Sequence, residues 1–119
     1  ALTHAVIDAL LGAAALGDVG SHFPSSDPNL KGADSLELLK AAKKLVAAAG
    51  YVVCNIDATV ITERPRIQPY VQDMRQRLAR ALDVDLDMVS VKATTTDRLG
   101  AVGRQEGIAV QAVALIEEV

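Results

Sequence analysis

The sequence predicts a single α/β domain, and three observations carry that prediction. Apolar residues recur at helical spacing in three segments and alternate with period two in a fourth, with two further apolar runs short enough for strands. The length, 119 residues, usually makes one domain and buries roughly two-thirds of the surface the unfolded chain exposes. Half of the residues are hydrophobic and 23% are charged, a balance that excludes intrinsic disorder. Aromatic residues make up 3%, so the core must be built from Ala, Val, Leu and Ile.

Residues 3–15 place Val6, Ile7, Leu10, Leu11 and Ala14 on one helical face, with Gly17 as the stop. Residues 17–32 are dense in Gly, Ser, Asp and Pro without a period, which reads as a loop longer than a connector needs. Asp34 followed by Glu37 is an N-cap acid with a Glu three residues on, and opens a second helix that runs to Gly50. Val52, Cys54, Ile56, Ala58 and Val60 then alternate with Val53, Asn55, Asp57, Thr59 and Ile61, a strand with one apolar face and a polar second face. Arg64-Pro65-Arg66 ends it. Pro69 opens a third helix, whose Tyr70, Met74, Leu78, Ala81 and Leu82 recur near four. Residues 88–94 form a short strand. Residues 108–116 form a last strand that is apolar on both faces apart from Gln111, so its second face is expected to meet another subunit. Three strands make a meagre sheet, and the pattern calls for a fourth.

The formal charge of −3 gives no overall field for nucleic acid or an anionic membrane, so any phosphate site must be local. Cys54 is the single cysteine, which excludes an intrachain disulfide and any multi-cysteine metal site and suits a reducing compartment. No apolar run reaches the roughly 18 residues of a membrane span, and the expected location is the cytoplasm. The chain opens without Met and directly in a helical pattern, as the remainder of a longer polypeptide would.

Several residues combine into candidate chemistry. His4 reads either as a surface or capping histidine or as a zinc ligand, with Asp8 four residues on as a solvated acid or as acceptor for the ligand's second nitrogen. Asp18, between Gly17 and Gly20, is either a turn acid or an acceptor for ligand hydroxyls where backbone approaches closely. His22 reads as an exposed loop residue. Lys92-Ala93-Thr94-Thr95-Thr96-Asp97-Arg98-Leu99-Gly100 sets three hydroxyls and an acid between cations, as a phosphate site with a divalent cation needs, although a solvated β-turn has the same composition. Arg104 either binds an anion or pairs with Glu106.

Five ordered blocks then carry a resemblance that covers the chain end to end. They are Leu2-Thr3-His4-Ala5-Val6-Ile7-Asp8-Ala9-Leu10-Leu11-Gly12-Ala13, Leu16-Gly17-Asp18-Val19-Gly20-Ser21-His22-Phe23-Pro24, Lys31-Gly32-Ala33-Asp34-Ser35, Val91-Lys92-Ala93-Thr94-Thr95-Thr96 and Gly103-Arg104-Gln105-Glu106-Gly107-Ile108-Ala109. They closely resemble the 2-C-methyl-D-erythritol 2,4-cyclodiphosphate synthase family of non-mevalonate isoprenoid biosynthesis. The resemblance implies a lyase that converts 4-diphosphocytidyl-2-C-methyl-D-erythritol 2-phosphate to the cyclic diphosphate and CMP. The substrate's own phosphate is the nucleophile, so the protein supplies positioning and charge neutralisation. The second reading is a non-catalytic cytidine-nucleotide or isoprenoid-diphosphate binding trimer.

The resemblance also implies an α+β two-layer subunit with a mixed four-stranded sheet and helices on one face. Three such sheets would pack at the core of a homotrimer with active sites between subunits. His4 matches a zinc ligand and Asp97 the position of a magnesium or manganese ligand, usually Glu. Asp18 and Gly20 match the methylerythritol site, Thr94 and Thr95 the cytidine diphosphate site, and Thr62, Arg66, Ile67 and Ala93 the enclosure of cytosine. Asp18, Thr95 and Asp97 are thereby the expected catalytic residues. Arg104 and Glu106 match residues near the threefold axis. The family's N-terminal strand, with two further zinc ligands, has no counterpart in residues 1–119, so the expected zinc site draws on residues upstream of Ala1.

Overall fold

The computed structural model describes residues 1–30, 32 and 34–119, so Lys31 and Ala33 of the third block lie outside the described residues. Helix α1, Leu2–Ala13, buries Val6, Ile7, Leu10 and Leu11, the stripe expected from the spacing. It stops before Gly17 because Ala15 already takes the left-handed conformation (φ 56°). Leu16 N–H donates to the Leu11 carbonyl at 2.8 Å and Ala15 N–H to the Gly12 carbonyl at 3.0 Å, the paired bonds that close a helix C-terminus.

The predicted long loop contains structure too short for a period to reveal. Asp18 caps a four-residue helix α2, Val19–His22, and Pro28–Leu30 make a 3₁₀ turn. Helix α3, Ser35–Ala48, is capped by Asp34, whose carboxylate accepts from Leu36 N–H at 3.0 Å, and it buries Leu39, Ala42 and Val46. Strand β1, Tyr51–Ile61, follows. A 3₁₀ turn at Gln68–Tyr70 then leads into α4, Val71–Leu82. Tyr70 therefore stands outside the helix and is exposed rather than on its apolar face. Strand β2, Val89–Thr94, a short helix α5, Gly100–Gly103, and strand β3, Ala109–Glu118, complete the chain.

The sheet is mixed and, among the described residues, has the three strands read from the sequence, in the order β2-β1-β3. β1 runs parallel to β2 and antiparallel to β3. Helices α1, α3 and α4 pack on one face, α1 chiefly over β3 and α4 over β2. Ile56, Ala58, Val60, Val89 and Val91 point into the core they share. The strict alternation expected from Val52 onward breaks at Cys54, where the register jumps from Val53–Ile116 to Asn55–Leu115. One extra residue reverses the facing of everything before it, so Val53 packs on the core and Val52 is exposed.

Among the described residues no helix packs on the opposite face of the sheet. On β3, Val110, Ala112, Ala114 and Ile116 pack against the core, while Val113 is 70% and Leu115 61% exposed. On this face Lys92 pairs with Asp57 at 2.9 Å, so the cation expected beside the threonines is already engaged.

Candidate functional site

Because β1 and β2 run parallel, their carboxyl ends lie side by side, with Ile61 opposite Thr94. Thr62 N–H extends the ladder by donating to the Thr94 carbonyl at 3.0 Å. Open α/β sheets bind ligands at this edge. The chain leaving β1 folds back over it. The buried Thr62 donates its hydroxyl to the Arg64 carbonyl at 2.7 Å, the Arg64–Pro65 peptide is cis, and Ile67 is buried in the core cluster. Between this fold-back and the end of β2 lies a cavity of about 400 Å³, lined by Thr62, Arg66, Ile67, Ala93, Thr94 and Thr95 among others. The structure thus brings together the six residues that the resemblance assigns to the cytidine diphosphate.

A second, larger cleft of about 780 Å³ adjoins the cradle and is lined by Arg64, Arg66 and Arg98 with Glu63. Three guanidinium groups against one carboxylate give this end of an otherwise acidic chain a local cationic excess. That is what a phosphate ester requires. Glu63 received no role from the sequence. Its carboxylate accepts from the N–H groups of Arg98 and Thr96 at 3.0 and 3.1 Å. These bonds, Arg98 N–H first, hold its pKa below the usual glutamate value against the opposing effect of desolvation.

Beyond the cradle the chain turns through Asp97 and Arg98, both at positive φ (53° and 68°). Asp97 N–H donates to the Thr95 hydroxyl at 3.1 Å, and that hydroxyl donates to the Asp97 carboxylate at 3.4 Å. Asp97 makes no ion pair with Arg98 among the described residues; the carboxylate is exposed.

The remaining candidates lie elsewhere. Asp18 accepts from the Ser21 hydroxyl at 2.7 Å and from Ser21 N–H at 2.9 Å, and these two bonds, the hydroxyl's the stronger influence, lower its pKa. Asp8 accepts from Val19 N–H at 2.7 Å, so it fastens the Asp18–Gly20 segment to α1. His22 is half-buried, not an exposed loop residue, with Nε2 2.6 Å from the Leu16 carbonyl. Asp18, Gly20 and His4 do not line the cradle. Arg104 does not line it either; its Nε donates to Glu106 at 2.9 Å. Among the described residues no three His, Cys, Asp or Glu side chains converge as metal ligands.

The YgbB family profile matches residues 1–117. The chain belongs to the YgbB family. A family relative from Ectopseudomonas mendocina, called 2-C-methyl-D-erythritol 2,4-cyclodiphosphate synthase, is 58% identical over 115 residues, covering 97% of this chain and 73% of that protein. One from Chlorobaculum parvum with the same name is 56% identical over 117 residues, covering 98% of this chain and 74% of the relative. Among solved structures, the bifunctional IspDF from Campylobacter jejuni matches with a TM-score of 0.94 at 42% identity; the match covers 99% of this chain but 32% of that one. The CDP complex of Plasmodium falciparum IspF matches with a TM-score of 0.84 at 28% identity, over 98% of this chain and 69% of that one. No described helix is long and apolar enough to cross a membrane.

Proposed function

We propose that the chain acts as a 2-C-methyl-D-erythritol 2,4-cyclodiphosphate synthase and that the edge cradle holds the cytidine diphosphate part of its substrate. The observation that carries this reading is the cavity shared by residues 62–67 and 93–95 at the carboxyl ends of two parallel strands. It occurs in a chain 56–58% identical to relatives bearing the synthase name. A plain nucleotide-binding trimer is not favoured by relatives of that name at such identity.

In this reading Thr62, Arg66, Ile67 and Ala93 enclose the base, and Thr94 and Thr95 meet the diphosphate. An oxygen of the substrate's 2-phosphate attacks the β-phosphorus, the bond to the CMP oxygen breaks, and CMP leaves with that electron pair. Nothing in this displacement needs a protein nucleophile. The protein holds attacking and leaving oxygens in line and offsets charge, and hydroxyls, turn amides and guanidiniums contribute to both. Asp18 and Gly20 hold the methylerythritol end from a second copy of the chain in a homotrimer whose bare sheet faces pack together, with Arg104 and Glu106 near its axis.

The metals divide. Magnesium keeps several waters and uses one or two protein carboxylates beside substrate phosphates, so the exposed Asp97, in the turn after Thr95, fits as the residue that would hold magnesium or manganese against the diphosphate and lend it further charge neutralisation. Zinc needs at least three protein ligands. His4 would supply one, and among the described residues no three His, Cys, Asp or Glu side chains converge with it, so the described residues alone do not make a zinc site.

The test is CMP release from 4-diphosphocytidyl-2-C-methyl-D-erythritol 2-phosphate, followed against magnesium concentration for the unaltered chain and for Asp97→Asn. The unaltered chain should release CMP. Asp97→Asn should need more magnesium and turn over about ten to a hundred times more slowly, with cytidine affinity retained. Absence of CMP release from the zinc- and magnesium-loaded protein refutes the function, and superimposable magnesium curves refute the role of Asp97.

A further inference from the structure

Glu63 sits where β1 has just ended, and its partners lie 33 and 35 residues further along the chain. One carboxylate oxygen, Oε1, receives Arg98 N–H at 3.0 Å and Thr96 N–H at 3.1 Å. The Thr96 hydroxyl is 3.3 Å from the same oxygen. It has one proton to give, and the Leu99 carbonyl at 2.6 Å is the nearer acceptor. The firm link is therefore a two-amide clasp on a charged acceptor, stronger than the same bonds to a neutral one.

The clasped turn has a reason to need holding. Asp97 and Arg98 are consecutive non-glycine residues at positive φ, a conformation that persists only where surroundings impose it. On its other side the turn rests against Gly103, where an added Cβ would lie 2.1 Å from the Arg98 carbonyl carbon. Residues 96–98 are thus gripped between a carboxylate and a bare glycine backbone. The same Glu63 belongs to the fold-back that walls the cradle.

We infer that Glu63 is a positioning residue, which ties the base-enclosing segment 62–67 to the turn 96–98 and so fixes Thr95 and Asp97 against the diphosphate without touching the reacting atoms. This rests on the functional reading above. The depressed pKa of Glu63 agrees with it. A carboxyl whose folded pKa is lowered keeps its clasp above the ordinary glutamate range and loses it as pH falls through the depressed value.

The inference separates two properties that a merely structural residue would change together. Glu63→Ala should lower kcat for CMP release at least about tenfold, while cytidine affinity stays within about twofold because Thr62, Ile67 and Ala93 keep their places. Glu63→Gln retains an amide oxygen that accepts both N–H groups, and should recover most of the lost kcat. Amide hydrogen exchange supplies an arm independent of activity: the Thr96 and Arg98 amides should exchange faster in Glu63→Ala, with α1, α3 and α4 unchanged. Equal loss of cytidine binding and kcat, a glutamine variant as impaired as the alanine one, or unchanged exchange at Thr96 and Arg98 would each overturn the assignment. If the unaltered, zinc- and magnesium-loaded protein releases no CMP, the functional reading fails, and the exchange arm still decides whether Glu63 holds the turn.

Discussion

Replacing Gly103 with alanine is expected to remove most of the turnover and to destabilise the protein by about 1–3 kcal/mol, the usual cost of forcing an extra methyl into a packed site. The new Cβ would lie 2.1 Å from the Arg98 carbonyl carbon and 2.7 Å from its Cα and O. All three are backbone atoms, so no rotamer change can make room. Either α5 moves away or the turn 96–98 moves toward Glu63 and the cradle, and Thr95 and Asp97 move with it. Gly12 provides the matched control. Nothing lies within 4 Å of a Cβ built there, and it sits inside α1, where alanine is favoured over glycine by roughly 0.5–1 kcal/mol. Gly12→Ala should therefore raise the melting temperature slightly, and Gly103→Ala should lower it. CMP release should be intact in the first and strongly reduced in the second. A Gly103→Ala protein with unchanged melting temperature and turnover would contradict the close packing of α5 on this turn.

The contrast between those glycines shows what kind of information the sequence carries. α1, α3 and α4 were legible because a helical stripe is written in residues three and four apart. Asp34 was legible as a cap because the N–H it accepts from, Leu36, is two residues away. The Thr94–Asp97 cluster and the resemblance located most of the cradle for a similar reason: its residues fall in two short contiguous runs. What escaped depends on residues distant along the chain. Glu63 looks like one more acid in a turn until β1 and β2 align in parallel and bring Thr96 and Arg98 to it. Asp8 invites assignment to His4, its neighbour on the same helix, yet its hydrogen bond goes to Val19, eleven residues away. The bulge at Cys54 has no marker in an alternating run, because the alternation reads equally well in either register until β3 is laid against it. Helix α2, four residues long, is too short to express any period.

The bare face of the sheet carries the other large effect. Lysine at both Val113 and Leu115 is expected to convert the proposed trimer into monomers and to abolish CMP release with it. Both side chains point away from the helices, so within one chain they have little packing to lose. Between copies each would contribute about 1.5–3 kcal/mol on full burial, repeated around the axis, whereas ammonium groups would have to be desolvated there beside copies of themselves. Lysine is chosen over aspartate because the cross-strand partner of Val113 is Asp57 and that of Leu115 is Asn55, so neither lysine directly opposes a like charge across the strands. The far-UV circular dichroism should consequently stay that of the unaltered protein while sedimentation equilibrium shows one third of its mass. Turnover should fall even though the cradle residues are untouched, since Asp18 and Gly20 of a second copy would no longer face it, and cytidine affinity should persist in the monomer. Unchanged mass in the double variant would show that this face is not where copies meet, and full turnover from a true monomer would show that one chain holds the whole site.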